Sequence, residues 1–474
     1  MSAETLLLVL AIGFGFYMAW SIGANDVANA MGTSVGSGAL TIKKAVIVAA
    51  VLEFSGAFFV GTHVSETIRK GIISPEIFQS QPMELAFGMT GALLAAAIWL
   101  QIASYFGWPV STTHSIVGSV LGFGVVIGGI HAADWSKVGS IVASWIVSPL
   151  LSGTIAFFVF NFLRKNIYYK ENPVAAAKRL APWIVFVVFF VLTLALVFKG
   201  LKNLHLNLNF LKASFIASIV GLMAAIVSYS LVQRIQPVPI KEREIQRQPP
   251  IVRQKLPRLL QQLERLARES RGEIKNKLTY IYQDLRTINE EIKRGTEVEQ
   301  TTSEYKTVQK IFVYLQILSA SFVAFAHGAN DVANAVGPLA AVIAILQSGI
   351  VALKTEVPMW TLALGGLGIV IGLSTWGWRV METIGKKITE LTPTRGFAAE
   401  FSAACTIVLA SKMGLPISTT HTLVGAVLGV GLARGIGALN LRTILDIIIS
   451  WIVTIPVGAG GAIIFYYILK GLFG

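Results

Sequence analysis

The chain has 474 residues, of which 54% are hydrophobic and only 14% are charged. Soluble domains carry roughly 25% charged residues, so this composition excludes an ordinary soluble protein and indicates an integral membrane protein. The net charge of +14 would suit a nucleic-acid partner. However, residues 234–310 hold 17 Lys or Arg and 11 Asp or Glu, so this polar insert alone supplies +6. Because so much of the charge belongs to one insert between membrane segments, we predict no nucleic-acid partner.

In chain order, the sequence contains uncharged apolar runs at residues 5–25, 85–133, 138–163, 213–233, 311–330, 332–353, 357–378 and 447–469. Most match the ~20 residues that a helix needs to cross a bilayer. The hydrocarbon core leaves no backbone group unpaired, and the runs are too evenly apolar for barrel strands, so they should be helices. The sequence predicts an all-α polytopic membrane protein in contact with membrane lipid.

The polar insert should lie in the cytoplasm, because positively charged segments are retained there. Its apolar residues recur every three or four positions and form one stripe on a helix: Ile274, Leu278, Ile281, Leu285, Ile288 and Ile292. Residues 256–266 repeat the pattern more briefly. This pattern is typical of a helical hairpin that packs against itself, but also of a partner-binding or dimerising coil. The sequence is therefore compatible with a monomer and with a homo-oligomer.

Three phrases occur twice in the same order. SIGANDVANA at residue 21 returns as AHGANDVANA at residue 326, and WPVSTTHSIVGSVLGFG at residue 108 returns as LPISTTHTLVGAVLGVG at residue 415. SWIVSP at residue 144 returns as SWIVTIP at residue 450. Three phrases at a nearly constant offset indicate a duplicated unit.

The uncharged stretch 85–133 is long enough for two passes, yet Pro109 and the polar Ser-Thr-Thr-His sequence lie at its middle. We interpret it as a re-entrant helical hairpin with its tip at membrane depth. Counting outward from a cytoplasmic insert then gives five crossings in the first half and an N-terminus outside. Because five is odd, the second copy is inverted, an arrangement in which transporters hold their sites near the midplane.

The predicted architecture is an inverted-topology repeat with broken helices and two re-entrant helical hairpins, in a multi-pass protein of the cell membrane. Its parts are residues 1–163 as the first transport repeat, 164–232 as additional transmembrane helices, 233–309 as the cytoplasmic helical insert and 310–474 as the second, inverted transport repeat.

Each hairpin tip is suited to hold an anion. We expect Pro109 and Pro416 to stop the incoming helices, and Ser111 and Ser418 to cap the outgoing ones, whose free N–H groups attract negative charge. Further hydroxyl donors come from Thr112, Thr113, Thr419 and Thr420. Gln101 is a candidate substrate ligand, although a hydrogen bond to a neighbouring helix would explain it equally well.

The Asn-Asp clusters suit a cation. Carboxylate and amide oxygens within one helical turn are hard ligands for an alkali ion, and the carboxylate could also take a proton: Asn25, Asp26, Asn29, Asn330, Asp331 and Asn334. We place the cation or proton at Asp26 and Asp331, because a carboxylate inside a membrane span is costly unless it is functional or partnered; the family resemblance given below implies that this ion is Na+. Gly23 and Gly328 should loosen the helices there and expose carbonyl groups.

The duplicated GANDVANA and P-x-S-T-T-H motifs, with GTSVGSG and the following VSETIRKGI, resemble the inorganic phosphate transporter (PiT) family. Residues 32–72 are more similar to its sodium-dependent branch than to the proton-coupled bacterial branch. The resemblance implies a secondary active symporter that imports inorganic phosphate with sodium as coupling ion, by alternating access around a midplane site. It implies no other cofactor. A proton-coupled phosphate or sulfate transporter is the alternative.

Glu53 and Glu400 match acidic positions of the family that are tied to transport. Either they line the path of the ion or substrate, or they pair with other side chains inside the protein. His114 and His421 end the tip motif and are more typical of helix packing than of proton transfer. His327 has little weight, because Ile22 stands at its place in the first copy. No H-E-x-x-H, G-x-S-x-G or P-loop pattern is present, so we predict no enzyme.

Overall fold

The computed structural model describes residues 2–62, 72–197, 209–237, 250–299, 303–351 and 357–474. The VSETIRKG part of the family motif, residues 64–71, lies outside the described residues. Within them the chain is built from α-helices with short 3-10 and π turns, and the β pairing is one isolated bridge between Ile73 and Ala133.

The helices that precede the insert are α1 (Ala3–Gly36), α2 (Ile42–Val60), α3 (Pro82–Tyr105), α4 (Thr112–Gly128), α5 (Trp135–Leu163), α6 (Pro173–Val197) and α7 (Phe210–Gln233). The insert contains α8 (Pro250–Glu269) and α9 (Gly272–Glu299). The remaining helices are α10 (Ser303–Ser348), α11 (Met359–Thr375), α12 (Trp378–Lys387), α13 (Pro393–Lys412), α14 (Thr419–Arg434) and α15 (Leu441–Phe473).

Seven of the described helices are long and apolar enough to cross a membrane, and the number is eight if α11 and α12, which meet at a bend of 71°, together form one broken span. The prediction of an all-α, multi-pass membrane protein is therefore confirmed. The two runs 311–330 and 332–353 do not form separate helices, because the 46-residue helix α10 spans the first run and continues into the second as far as Ser348. Asn330 and Asp331 interrupt the hydrophobic run without interrupting the helix, since both side chains are buried by neighbouring helices.

Both hairpins are present as helix pairs, α3 with α4 and α13 with α14. The expectation that Pro109 and Pro416 stop the incoming helices is wrong. Helix α3 already ends at Tyr105, and Gly107 follows in the left-handed region with φ of 69°. The N–H of Trp108 donates to the carbonyl of Ala103 at 2.9 Å, which is the six-to-one bond of a Schellman motif.

The second hairpin ends its incoming helix in the same way. Gly414 has φ of 68°, and the N–H of Leu415 donates to the carbonyl of Ala410 at 3.0 Å. Glycine stops these helices because it adopts the left-handed conformation without the steric cost of a Cβ atom. Pro109 and Pro416 follow these glycines in extended linkers. Ser111 and Ser418 come next and begin the outgoing helices.

The two halves interlock through close helix packing. Helix α1 packs on α11, and a Cβ atom at Gly23 would lie 2.0 Å from the carbonyl oxygen of Ile369. Helix α10 packs on α2, and a Cβ atom at Gly328 would lie 2.1 Å from the carbonyl oxygen of Glu53. The prediction that these glycines loosen the helices is therefore wrong: α1 and α10 are continuous there, and the glycines permit backbone contact.

A second compact unit comprises Leu163–Ala181 and Ser228–Ile311. In it, α8 and α9 pack against each other across Gly272, as predicted for a helical hairpin. The stripe is only partly covered: Leu278 and Leu285 are half-buried, whereas Ile274, Ile281 and Ile288 are exposed. The side chain of Ile292 lies outside the described residues. Within this unit Lys178 also donates to the carbonyl of Ile235 at 2.9 Å.

Candidate substrate and ion site

Each Asn-Asp cluster meets the tip of the hairpin from its own half. The hydroxyl of Thr112 donates to Oδ2 of Asp26 at 2.7 Å, and the hydroxyl of Thr419 donates to Oδ2 of Asp331 at 2.7 Å. All four residues are at most 2% exposed. The equal geometry follows from the duplicated sequence, because both motifs occupy equivalent helix positions.

The second asparagine of each cluster reaches the opposite hairpin. Asn29 donates to the hydroxyl of Thr420 at 2.8 Å, and Asn334 donates to the hydroxyl of Thr113 at 3.3 Å. Thr420 also lies 3.4 Å from Oδ1 of Asp26. The predicted cation residues and the predicted anion residues therefore form one hydrogen-bonded cluster shared by both halves.

The two tips are also bonded to each other. Thr113 donates to the carbonyl of Ile417 at 3.0 Å, and Thr420 donates to the carbonyl of Val110 at 3.1 Å. These reciprocal bonds hold the starts of α4 and α14 side by side.

Ser111 and Ser418 cap the outgoing helices, as predicted. The hydroxyl oxygen of Ser111 accepts from the backbone N–H of His114 at 3.1 Å, and that of Ser418 accepts from the N–H of His421 at 3.1 Å. Each cap uses a lone pair of the hydroxyl oxygen, so the hydroxyl hydrogen can still be donated to an anion. Both helices thus begin with unpaired N–H groups and a serine donor at the same buried point.

His327 lies at the centre of the cluster. Its Nε2 is 2.9 Å from Oδ2 of Asp331 and 3.7 Å from Oδ2 of Asp26, and its Nδ1 is 3.3 Å from Oε2 of Glu53. All four side chains are fully buried. Sequence comparison of the repeats gives this histidine little weight because it is unmatched. Its spacing of four residues from Asp331, on one face of a helix, was the signal that could have found it.

The residues present fit a small cation. One ligand atom from each of Asp26, His327 and Asp331 lies within 4.8 Å of the others. Carboxylates removed from water need a compensating positive charge, and the adjacent threonine and asparagine oxygens are hard ligands. Na+ would enter such a site as cargo rather than as a resident cofactor.

Glu400 occupies a separate buried pocket in α13. Its carboxylate accepts hydrogen bonds from three hydroxyl groups and from the side-chain amide of Gln316: Thr33 at 2.5 Å, Ser34 at 2.6 Å and Ser319 at 2.6 Å, with Gln316 at 3.1 Å. Helices α1, α10 and α13 all contribute. Glu53 and Glu400, paired in the sequence argument, therefore lie in different surroundings, one against an imidazole and one inside a shell of oxygen atoms.

The remaining candidate residues are Gln101, Asn25 and Asn330. Gln101 is half-buried and accepts a hydrogen bond from Tyr17, which precedes Asp26 in α1 by nine residues, or ~13 Å along a helix. Asn25 donates to Ser104 and to the carbonyl of Trp108, both at 3.0 Å, and so holds α1 to the first tip. Asn330 is buried beside Asp331 in α10.

Comparison with known proteins matches this architecture. The model of the phosphate transporter family aligns with residues 22–462. The chain is 48% identical to "Inorganic phosphate transporter 2-1, chloroplastic" of Arabidopsis thaliana, over 98% of this chain and 72% of that protein. It is 44% identical to a "Putative phosphate permease" of Chlamydia trachomatis, over 99% of each chain.

A solved structure described as "The sodium-dependent phosphate transporter" superposes with a TM-score of 0.80 at 37% identity, covering 98% of this chain and 99% of that one. The match extends over both hairpins and the interlocked helices between them. The chain is therefore a transporter rather than an enzyme, and it belongs to the phosphate transporter family.

Proposed function

We propose that this protein imports inorganic phosphate together with Na+ across the cell membrane, by alternating access around the shared cluster. The observation that carries the proposal is the direct bonding between Thr112 and Asp26 and between Thr419 and Asp331. In each pair, a hydroxyl donor suited to an anion is hydrogen-bonded to a carboxylate suited to a cation. Similarity to a structure described as sodium-dependent supports Na+ as the coupling ion.

In this proposal the phosphate lies between the two tips. The donors are the free N–H groups at the starts of α4 and α14 and the hydroxyls of the two Ser-Thr-Thr sequences. Asp26 and Asp331 hold Na+ beside it, with Asn25, Asn29, Asn330 and Asn334 supplying amide oxygens. Gln101 remains a candidate ligand at the substrate's approach, because it lies on the helix that leads into the first tip.

Cations are required for electrostatic reasons. Phosphate is an anion, and the site already contains three buried carboxylates around one imidazole. Without Na+, an entering phosphate would meet uncompensated negative charge in a medium of low dielectric constant. We therefore infer that Na+ and phosphate bind cooperatively, which is the property that symport needs.

We place Glu400 on the path of a sodium ion. A fully buried carboxylate surrounded by three hydroxyls and an amide offers five or more oxygen atoms to a hard cation, and the hydroxyls can rotate to present lone pairs. Glu400→Gln should then lower the apparent affinity for Na+. Glu84→Gln in α3, which pairs with Lys470, is the matched control.

The proposed orientation has the N-terminus outside and the insert with α8 and α9 in the cytoplasm, in accordance with its excess of Lys and Arg. The second repeat then enters the membrane inverted. Modification of single cysteines placed at Ser2 and at Ser270, by a reagent that does not cross membranes, tests both assignments. The lone Cys405 is first replaced.

The central experiment measures uptake of labelled phosphate into proteoliposomes with an inward gradient of Na+, of K+ or of protons, each imposed separately. Uptake above equilibrium driven by Na+ alone is the expected result. Uptake that does not depend on Na+ and is driven by the proton gradient would establish the proton-coupled alternative. Inhibition of labelled phosphate uptake by sulfate at the same concentration as phosphate would support the sulfate alternative.

A further inference from the structure

The third repeated phrase, SWIVSP and SWIVTIP, has no role in the proposed binding of Na+ or phosphate, yet it places two tryptophans against the hairpin tips. Trp145 of α5 lies with its ring centroid 3.7 Å from that of His114. Trp451 of α15 lies 3.5 Å from His421, with the ring planes inclined by 24°. The two histidine rings lie 4.3 Å apart, edge to face.

These four rings form a continuous column, Trp145–His114–His421–Trp451, which we call the ring column. It crosses from one repeat to the other behind the two tips. Both histidines are at most 4% exposed, and Trp145 is 7% exposed. Rings already in van der Waals contact cannot move closer, and closely packed interiors leave little room for them to move apart.

The ring column is attached to both tips through its two central histidines. The backbone N–H of each histidine is the group capped by the serine of the same tip, at 3.1 Å in both halves. The indole N–H of Trp451 donates to the carbonyl of Pro109 at 3.4 Å, and Nδ1 of His421 lies 3.3 Å from the carbonyl of Trp145. A shift of either ring therefore shifts the first turn of α4 or α14.

We propose that the ring column is a positioning element that fixes the distance between the two tips and thereby selects phosphate among tetrahedral oxyanions by size. Arsenate has the same shape and charge as phosphate but longer bonds to oxygen, so a rigid two-sided cradle discriminates against it. His114, His421, Trp145 and Trp451 act through Ser111 and Ser418 and do not touch the anion. This inference rests on the proposed function.

The test compares binding of phosphate and of arsenate to the purified protein at saturating Na+, in wild type and in His421→Ala. Removal of one central ring lets the tips relax. We expect phosphate affinity to fall by about tenfold, the effect of one weakened hydrogen bond to a charged ligand, and the preference for phosphate over arsenate to fall toward one.

The conservative variant His421→Phe keeps a flat ring in the column and should keep the wild-type preference. Trp99→Ala removes a ring that bonds Thr454 at the neighbouring α3–α15 contact, outside the column, and should also keep it. A purely structural role would lower thermal stability in both alanine variants alike without changing the preference. If His421→Ala does not fold, Trp451→Leu opens the same column from its outer end and carries the same expectation.

A wild-type protein without preference for phosphate, or a preference unchanged in His421→Ala, overturns the inference. Absence of Na+-dependent phosphate binding in the wild type contradicts the proposed function. Normal binding that is weakened by Ser111→Ala but retains its selectivity in His421→Ala contradicts only the role of the ring column.

Discussion

The hydroxyl of Thr112 lies 2.7 Å from Oδ2 of Asp26, so a donor suited to phosphate is engaged by a carboxylate suited to sodium. A cation on Asp26 would compete for that oxygen and release the hydroxyl toward an anion. Charge compensation and hydrogen-bond exchange therefore act in the same direction, and each ligand prepares the site for the other.

The first prediction concerns this linkage. Raising Na+ should lower the Kd for phosphate, and Thr112→Val should weaken that dependence because the exchangeable hydroxyl is gone. Isothermal titration of phosphate at several Na+ concentrations measures it. Thr154→Val in α5, where the hydroxyl donates to its own helix at Leu150, is the control. A Kd independent of Na+ in the wild type would contradict cooperative binding.

Removing either carboxylate should abolish coupling. Asp26→Asn and Asp331→Asn preserve size but each removes one of the two aspartate charges that hold the cation, so Na+-driven uptake should fall to background. Asp134→Asn, at a half-buried loop position beside Lys137 and away from the site, controls for the chemistry of the substitution. Uptake at wild-type rates in either site variant, with the protein inserted and folded, shows that the cation binds elsewhere.

The serines test the two-sided cradle. Each hydrogen bond to a charged group contributes ~1.5 to 3 kcal/mol, so Ser111→Ala or Ser418→Ala should weaken phosphate binding by roughly tenfold to a hundredfold. The double variant should lose far more, because both sides of one anion lose donors. Thermal unfolding separates the loss of the helix cap, which costs ~1 kcal/mol, from the loss of binding. Equal affinities in all three variants would rule out the cradle.

Close packing at Gly23 leads to a stability prediction. A Cβ atom there would meet the backbone oxygen of Ile369 at 2.0 Å, which side-chain rotation cannot relieve. Gly23→Ala should destabilise the protein by at least ~1 to 3 kcal/mol. Gly13→Ala in the same helix meets nothing within 4 Å and should be neutral or stabilising. Thermal unfolding in detergent compares the two, and equal midpoints would show that α1 and α11 separate easily.

Glu390 gives a pH-dependent prediction outside the membrane-spanning segments. Partial burial disfavours its charge, but Arg395 at 3.0 Å and Arg434 at 3.1 Å outweigh this and hold its pKa below the usual value. Its contribution is therefore present at neutral pH and is lost as pH falls through the lowered pKa. The side chain is 67% exposed, so the contribution should stay below about 1 kcal/mol.

The stability difference between wild type and Glu390→Gln measures this contribution. It should be positive at pH 7 and approach zero in acid, where the native carboxyl is protonated. In Arg395→Gln the same difference should shrink, because one partner is already missing. A difference that grows as the pH falls has the wrong sign for an ion pair.

Much of the site could be predicted because each half repeats a local chemical signal. Serine at the start of an apolar helix predicts a cap, and both Ser111 and Ser418 are caps. The ends of the incoming helices were missed because proline is the more conspicuous residue, whereas Gly107 and Gly414 make the turn. In both tips a glycine two residues before the proline decides the backbone conformation.

Tertiary contacts could not be predicted from local pattern. His327 occurs in one repeat only, so comparison of the repeats discounts it, although it contacts carboxylates on three helices. Gly23 and Gly328 next to polar residues favoured a loosened helix, but their role depends on Ile369 and Glu53, which are distant in sequence. Such roles depend on which helices become neighbours, and a single sequence does not contain that information in local form.

The interlocked packing of α1 on α11 and of α10 on α2 has a consequence for biogenesis. Helix α1 is synthesised before the second half, and the residues that cover Asp26 and Gly23, His327 and Ile369, emerge roughly 300 and 350 residues later. At ~5–20 residues per second this interval lasts roughly 15 to 60 s. During it the carboxylate of Asp26 has none of its second-half partners, and because such a carboxylate is costly in a membrane span, we expect the first half to reach its final packing only when the second half arrives.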